Sequence, residues 1–172
     1  KITAKTMGVQ VCSGALSITG ADTEITVTGD AVPKTENDGA IQDGAAISIV
    51  NRTGYKGLDT VTVSGGKFTA KKGNSAIKAY NWENKTESDF TADKGTVAVS
   101  GGTFSSEVSE DLCADGFVPT NNADGTYGVK TAGAVEVWTA FSGTKVASYD
   151  TIAEAAANLG ENKWIVITKD YT

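Results

Sequence analysis

Apolar and polar residues alternate in three short segments of this chain, and the three segments nearly repeat one another. They read Leu-Ser-Ile-Thr-Gly from position 16, Val-Thr-Val-Ser-Gly from 61 and Val-Ala-Val-Ser-Gly from 97. Strict alternation predicts strands with one buried face, and the glycine that follows suits a sharp corner because glycine tolerates positive φ. Repetition of this kind indicates a fold built from stacked, equivalent units.

Two further sets of strands accompany these segments. The second set begins at Ile2, Ile25, Phe68 and Phe104, and the third begins at Val9, Ile47 and Ile77. We expect equivalent strands to pair in parallel, so that their inward-facing residues form three apolar stacks. The predicted fold is all-β: a short right-handed parallel β-helix, or β-solenoid, over residues 1–105, with three strands in each of about three coils.

The repeat ends after Phe104, and two different segments follow. Residues 106–130 predict a turn and a capping β-hairpin, because an Asn/Asp-Gly turn signal lies between β-branched and aromatic residues. Residues 131–172 predict a small ββαβ unit, which we interpret as the possible start of a following module. An alternating run that reaches Phe141 gives its first strand, and a capping box formed by Thr151 and Glu154 begins its helix.

Charge and composition exclude several classes of function. The 172 residues carry a formal net charge of −6 and include one arginine and no histidine. A nucleic-acid-binding surface needs concentrated basic residues, so we expect no nucleic-acid partner. The lack of histidine removes the commonest general base and zinc ligand. We therefore predict no catalytic residue, no metal ligand and no cofactor, and a chain that is not an enzyme.

A fragment of a polysaccharide-degrading β-helix enzyme is a less favoured alternative. Such enzymes need clustered carboxylates for calcium binding or acid–base chemistry. The aspartates of the repeat region lie instead in turn segments, where they form Asx-turns: Asp22, Asp30, Asp38, Asp43 and Asp59.

The two cysteines and the ends of the chain bear on its location. Cys12 and Cys113 could pair, but two separate buried thiols are the favoured interpretation. No apolar run approaches the ~20 residues of a membrane span, so we expect no membrane insertion by this segment. The chain starts at Lys1 without an initiator Met, and we interpret it as a monomeric piece of a longer protein.

A candidate ligand-binding surface lies where insertions leave the third strands, at residues 52–59 and 82–95. We predict that Arg52, Tyr55, Tyr80 and Trp82 are neighbours there and contact a ligand. Aromatic faces flanked by polar groups suit sugar rings or a protein partner. The alternative is that these rings pack the inserted loops against the sheet.

Asparagines mark the same corner of the predicted coils. Asn51 and Asn81 each follow a third strand, and Ser13 holds the equivalent position in the first coil. We expect them to form a stacked polar ladder.

Several motifs resemble modules of large cell-surface proteins of Gram-positive gut bacteria. Val-Ser-Gly-Gly-Thr-Phe from position 99 precedes Ala-Asp-Gly-Phe-Val from 114 and Ala-Asp-Gly-Thr-Tyr-Gly-Val-Lys from 123, and Tyr-Asp-Thr-Ile-Ala-Glu-Ala begins at 149. The resemblance implies a right-handed parallel β-helix in a secreted, wall-attached protein, a setting in which many modules are adhesins. No catalytic residue carries over.

The expected function is accordingly a non-catalytic extracellular binding or adhesion module of a larger surface protein, with a glycan or a host surface protein as its partner. The alternative is a passive structural stalk.

Overall fold

A computed structural model describes residues 1–37, 39–91, 96–140 and 143–168 of the chain. The predictions for Asp38 and Phe141 lie outside these residues. The chain divides into two units, Lys1–Lys130 and Thr131–Thr172.

The first unit consists of short strands and one 3-10 turn at Glu110–Leu112. Its strands are β1 (Ile2–Ala4), β2 (Val9–Val11), β3 (Gly14–Ile18), β4 (Glu24–Val27), β5 (Ile47–Arg52), β6 (Leu58–Thr69), β7 (Ile77–Glu83), β8 (Thr86–Ser88), β9 (Val97–Phe104), β10 (Phe117–Asn121) and β11 (Tyr127–Thr131).

These strands form two sheets. A seven-stranded sheet has the order β1-β4-β6-β9-β11-β10, with β3 also paired to β6, and a four-stranded sheet has the order β2-β5-β7-β8. Parallel pairs dominate the interior of each sheet, whereas β9 with β11 and β7 with β8 are antiparallel. Both sheets are therefore mixed.

The predicted registers within the parallel pairs are confirmed. Val61 lies between Leu16 and Val97, and Phe68 lies between Ile25 and Phe104. In the other sheet the pairs are Val9 with Ile47, and Ile47 with Ile77. The apolar period along each strand fixes these registers, because a slip of one residue would turn every buried side chain outward.

The predicted fold class, a right-handed parallel β-helix or solenoid with three strands per coil, is wrong. The glycine pairs expected to separate two walls do not end their strands. β6 runs through Gly65 and Gly66 as one twelve-residue strand, with a register shift beside Ser64 where its partner β9 contains Gly101. A glycine bulge inside a continuous strand thus replaces the corner.

Antiparallel pairing accounts for the rest of the difference. The chain turns back after β7 into β8, a hairpin that was not predicted, and after β10 into β11, which lie in the segment predicted as a capping hairpin. These antiparallel additions at the sheet edges replace the further parallel turn that a solenoid requires.

The main core of the first unit lies between the two sheets. Phe68 and Phe104 are fully buried, and their ring centres are 5.0 Å apart. Val61, Val63 and Val99 are buried beside them. Burial of these apolar side chains stabilises the unit, and aromatic and β-branched pairs on neighbouring strands add to it.

The second unit has the order β12 (Val135–Trp138), β13 (Lys145–Tyr149), α1 (Ile152–Ala157) and β14 (Trp164–Ile167). Its sheet is antiparallel in the order β13-β12-β14. The predicted capping box is confirmed, since Glu154 N donates to Thr151 Oγ1 and Thr151 N donates to the Glu154 carboxylate. Only Ala155 of α1 is buried.

No helix among the described residues has the length and hydrophobicity needed to cross a membrane.

Candidate functional site

The ends of β5 and β7 carry the polar residues of the candidate site. Asn51 pairs with Asn81, and Arg52 pairs with Trp82, in the same parallel register that joins the apolar parts of these strands. Asn51 Nδ2 donates to Asn81 Oδ1 over 3.1 Å, which confirms the predicted ladder for these two residues. β2 ends at Val11, so Ser13 lies beyond the paired strand.

Asn81 also holds the segment that follows β8. Its Nδ2 donates to Asp89 O over 2.6 Å and to Thr91 Oγ1 over 2.8 Å. The β7–β8 turn brings this segment back, with Asn84 and Lys85 at positive φ. One amide side chain therefore links both strands and the returning loop.

An open polar cleft of about 200 Å³ lies between these elements. Hydroxyl and amide side chains make up most of its wall, together with one cation and one carboxylate: Asn51, Arg52, Thr53, Asn81, Glu83, Ser88 and Thr91. Such a wall can both donate hydrogen bonds to a ligand that carries several hydroxyl groups and accept hydrogen bonds from it.

Arg52 is buried at the edge of this cleft, with 4 % of its surface exposed. Its Nη1 donates to Gly39 O over 2.7 Å, whereas Nη2 is buried without a hydrogen-bond partner. Among the described residues, no carboxylate oxygen lies within 4.0 Å of the guanidinium group.

Tyr55 lies over Arg52 on the loop that leaves β5. The guanidinium carbon is 5.2 Å from the ring centre, a cation–π distance. Tyr55 N donates to Arg52 O over 3.2 Å, and Gly54 and Gly57 on either side have positive φ. The ring remains 51 % exposed, so it is open to a ligand.

The side chains of Tyr80 and Trp82 do not line the cleft. Their side chains are 2 % and 6 % exposed and pack with Ile41 and Val50 in a second apolar cluster, against which Cys12 also packs. Of the four predicted ligand-binding residues, the structure brings Arg52 and Tyr55 together beside the cleft. It gives Tyr80 and Trp82 the packing contacts considered as the alternative.

The chain between β4 and β5 forms a long inserted segment. Asp43, near the end of this segment, joins it to the four-stranded sheet. Its Oδ2 accepts from Ser48 Oγ at 2.5 Å and from Tyr80 Oη at 2.9 Å, and its Oδ1 accepts from Ala45 N at 3.0 Å. Burial and the nearby Asp43 carboxylate raise the pKa of Tyr80 far above its usual range, so the phenol remains a donor.

Sequence analysis missed this role of Asp43, which it assigned to a turn. A signal was present in β5, where a serine interrupts the apolar run Ile-Ser-Ile-Val. Ser48 is fully buried, and a buried hydroxyl needs a partner.

Cys12 lies near Arg52, and the two cysteines are not joined by a disulfide. Burial raises the pKa of the Cys12 thiol, and the charge of Arg52 opposes this shift. Within the described ranges, no three acidic or cysteine side chains converge as a metal site would require.

No family model, curated protein or solved structure matches this chain.

Proposed function

We propose that this chain is a non-catalytic glycan-binding module of an extracellular bacterial surface protein. The observation that carries the proposal is a hydroxyl- and amide-lined cleft that includes Arg52, together with the exposed ring of Tyr55 that lies over Arg52. Sugars present an apolar ring face and a rim of hydroxyl groups, and they are bound by an aromatic platform beside convergent polar groups.

The rigidity of the cleft supports this role. Asn51 and Asn81 extend from paired strands, and their amide groups are already hydrogen-bonded to each other. Groups held in place before binding lose little conformational freedom when the ligand arrives. The cleft is smaller than the about 300–1,000 Å³ pockets of drug-sized ligands, so it suits one sugar unit of a longer chain.

Location outside the cell is proposed from the sequence resemblance. The Val-Ser-Gly-Gly-Thr-Phe and Asp-Gly-Thr-Tyr segments are similar to modules of wall-attached proteins of Gram-positive gut bacteria. A binding module that displays a polar cleft on a β-rich scaffold fits that setting.

A glycan array followed by calorimetry on the retained sugars tests the proposal. We expect Tyr55→Ala to weaken binding by about 1–3 kcal/mol, the usual contribution of an aromatic anchor, with little change in melting temperature. Tyr55→Phe keeps the stacking face and should retain most of the affinity. Lys56→Ala removes the neighbouring exposed side chain and serves as the matched control.

Two results would contradict the proposal. The chain could retain no glycan at all, as the passive-stalk alternative predicts. It could also bind a glycan with the same affinity after Tyr55→Ala, which would place the site on another face.

A further inference from the structure

Arg52 is the most unusual polar residue in the described part of the chain. It is the single arginine of the sequence, it is almost fully buried, and one of its terminal nitrogens has no hydrogen-bond partner. Burial of a charge without full hydrogen bonding opposes folding. Within the described ranges, this nitrogen therefore retains an unused hydrogen-bond donor beside an open cleft.

The chemistry of the guanidinium group defines the missing partner. Arginine presents a planar fork of N–H donors that matches the two oxygens of a carboxylate. Among the described residues, the neighbours of Arg52 are the backbone carbonyl of Gly39, the ring of Tyr55 and the thiol of Cys12. None of these groups carries a negative charge that would neutralise the guanidinium group, since burial raises the pKa of the Cys12 thiol.

We infer that the glycan held in the cleft is acidic and that Arg52 binds the carboxylate of a uronic or sialic acid unit. This inference rests on the proposed function, since it names the class of sugar that the same cleft takes. The amide of Asn51, which Asn81 holds in place, would bind a hydroxyl group of the unit, while the Tyr55 ring would cover its apolar face.

Of the described residues that line the cleft, Glu83 is the one whose charge repels an anion. It is exposed at the end of β7, where water screens its charge. Removal of the Glu83 charge should therefore strengthen the binding of an acidic sugar. It should leave the affinity for a neutral sugar unchanged.

Ligand access to Arg52 requires a local movement. Nη2 is shielded from solvent, and the ring of Tyr55 lies over the guanidinium group. A carboxylate therefore displaces this ring or selects another Arg52 rotamer when it binds. The ring resonances of Tyr55, assigned with the Tyr55→Phe variant, should shift on titration.

The test compares acidic oligosaccharides with their carboxyl-reduced forms by calorimetry on the full chain. The probes are trigalacturonate, a hyaluronan tetrasaccharide and sialyllactose, each beside the same sugar with its carboxylate reduced to an alcohol. We expect at least one acidic form to bind about tenfold or more tightly than its reduced form, because hydrogen bonds to charged groups differ from neutral ones by this much. Added salt should weaken only the acidic form.

Three variants test whether Arg52 causes the preference for the acidic over the reduced sugar. Arg52→Lys keeps a cation but loses the fork, and it should remove most of the preference for the acidic form. Glu83→Gln should increase that preference. Lys72→Gln makes a single-charge change in the exposed turn before β7, at the far end of the strand from the cleft, and it should have no effect.

The outcomes separate this inference from the proposed function. If acidic and reduced forms bind equally and Tyr55→Ala weakens both, the cleft binds sugars and the acidic specificity is wrong. If Arg52→Lys folds normally and keeps the acidic preference, the role of Arg52 is wrong. If Arg52→Lys fails to fold, the Glu83→Gln result and the Tyr55 resonances decide, and no change in either overturns the inference. Failure of every probe and of the glycan array overturns both proposals.

Discussion

The two halves of the β5–β7 pair differ sharply although one register joins them. At the start of the pair, Ile47 and Ile77 belong to the main core. At its end, Asn51 meets Asn81 through a side-chain hydrogen bond, and polar groups line an open cleft. The apolar residues fix the register of the two strands. That register then determines which polar residues lie side by side at the strand ends. The stabilising core and the proposed binding site thus use the same strands without sharing residues.

Val63→Asp should cause the largest loss of stability, because it places a charge in the apolar core. Val63 is fully buried between Ile18 and Val99 of the neighbouring strands. The new carboxylate would have no partner, so we expect a loss of about 4 kcal/mol or more and unfolding of the first unit. Thermal and urea denaturation followed by circular dichroism measure this loss.

Thr62→Asp is the matched control, one residue away on the opposite face of β6. Thr62 is partly exposed, and its hydroxyl donates to Ser17 Oγ over 3.1 Å. Loss of this bond and of β propensity should cost no more than about 1 kcal/mol. Similar melting temperatures for the two variants would disprove the assigned faces of the strand.

Trp82→Ala tests whether Trp82 stabilises the second apolar cluster and does not belong to the polar site. Trp82 lies directly beside Arg52 in the strand pair, but its side chain is buried against Ile41 and Val50. Truncation leaves a cavity, and we expect a loss of about 3–5 kcal/mol in the free energy of unfolding. Tyr55→Ala, at an exposed ring, should cost less than about 1 kcal/mol in the same denaturation experiment. A larger loss for Tyr55→Ala than for Trp82→Ala would reverse the roles given to the two rings.

Asp43→Asn should have the smallest of the three effects on stability. An amide keeps the shape of the side chain but loses the charge-assisted bonds from Ser48 and Tyr80, and both hydroxyls must reorient. We expect a loss of about 1–2 kcal/mol. Asp22→Asn, in an exposed turn, is the control and should not change the melting temperature. Equal melting temperatures for both variants would mean that Asp43 does not anchor the inserted segment.

The strand registers could be predicted from the sequence. Whether the chain turns a corner or continues straight at the glycine pairs could not. Alternation at Val61, Val63, Val97 and Val99 excludes a slip of one residue, because such a slip would expose the buried face, and the Gly-Gly and Phe residues that follow both segments select among the remaining registers. The Gly65-Gly66 pair is compatible with a corner or with a bulge in a continuous strand. Contacts far along the chain decide between them, and no local pattern encodes those contacts.

The candidate site was predictable in part for a similar reason. Arg52 and Tyr55 follow a strand whose position is fixed, so their proximity could be expected. Tyr80 carries the same sequence signature, an aromatic residue near an insertion. Its burial depends on the inserted segment that brings Ile41 and Asp43 over it, and that segment has no periodic pattern of its own.

The β7–β8 hairpin also sets the order in which the cleft is assembled. Asn81 and Asp89 are eight positions apart, whereas the parallel contact between Asn51 and Asn81 joins residues 30 positions apart and that between Ser17 and Thr62 spans 45. A hairpin closes in about 1–10 μs, while pairing over long chain distances is far slower. We therefore expect the wall of the cleft that this hairpin carries to form before the wall on β5. Arg52 reaches its buried position only when the parallel strands join, so the hairpin should be in place before the site is complete.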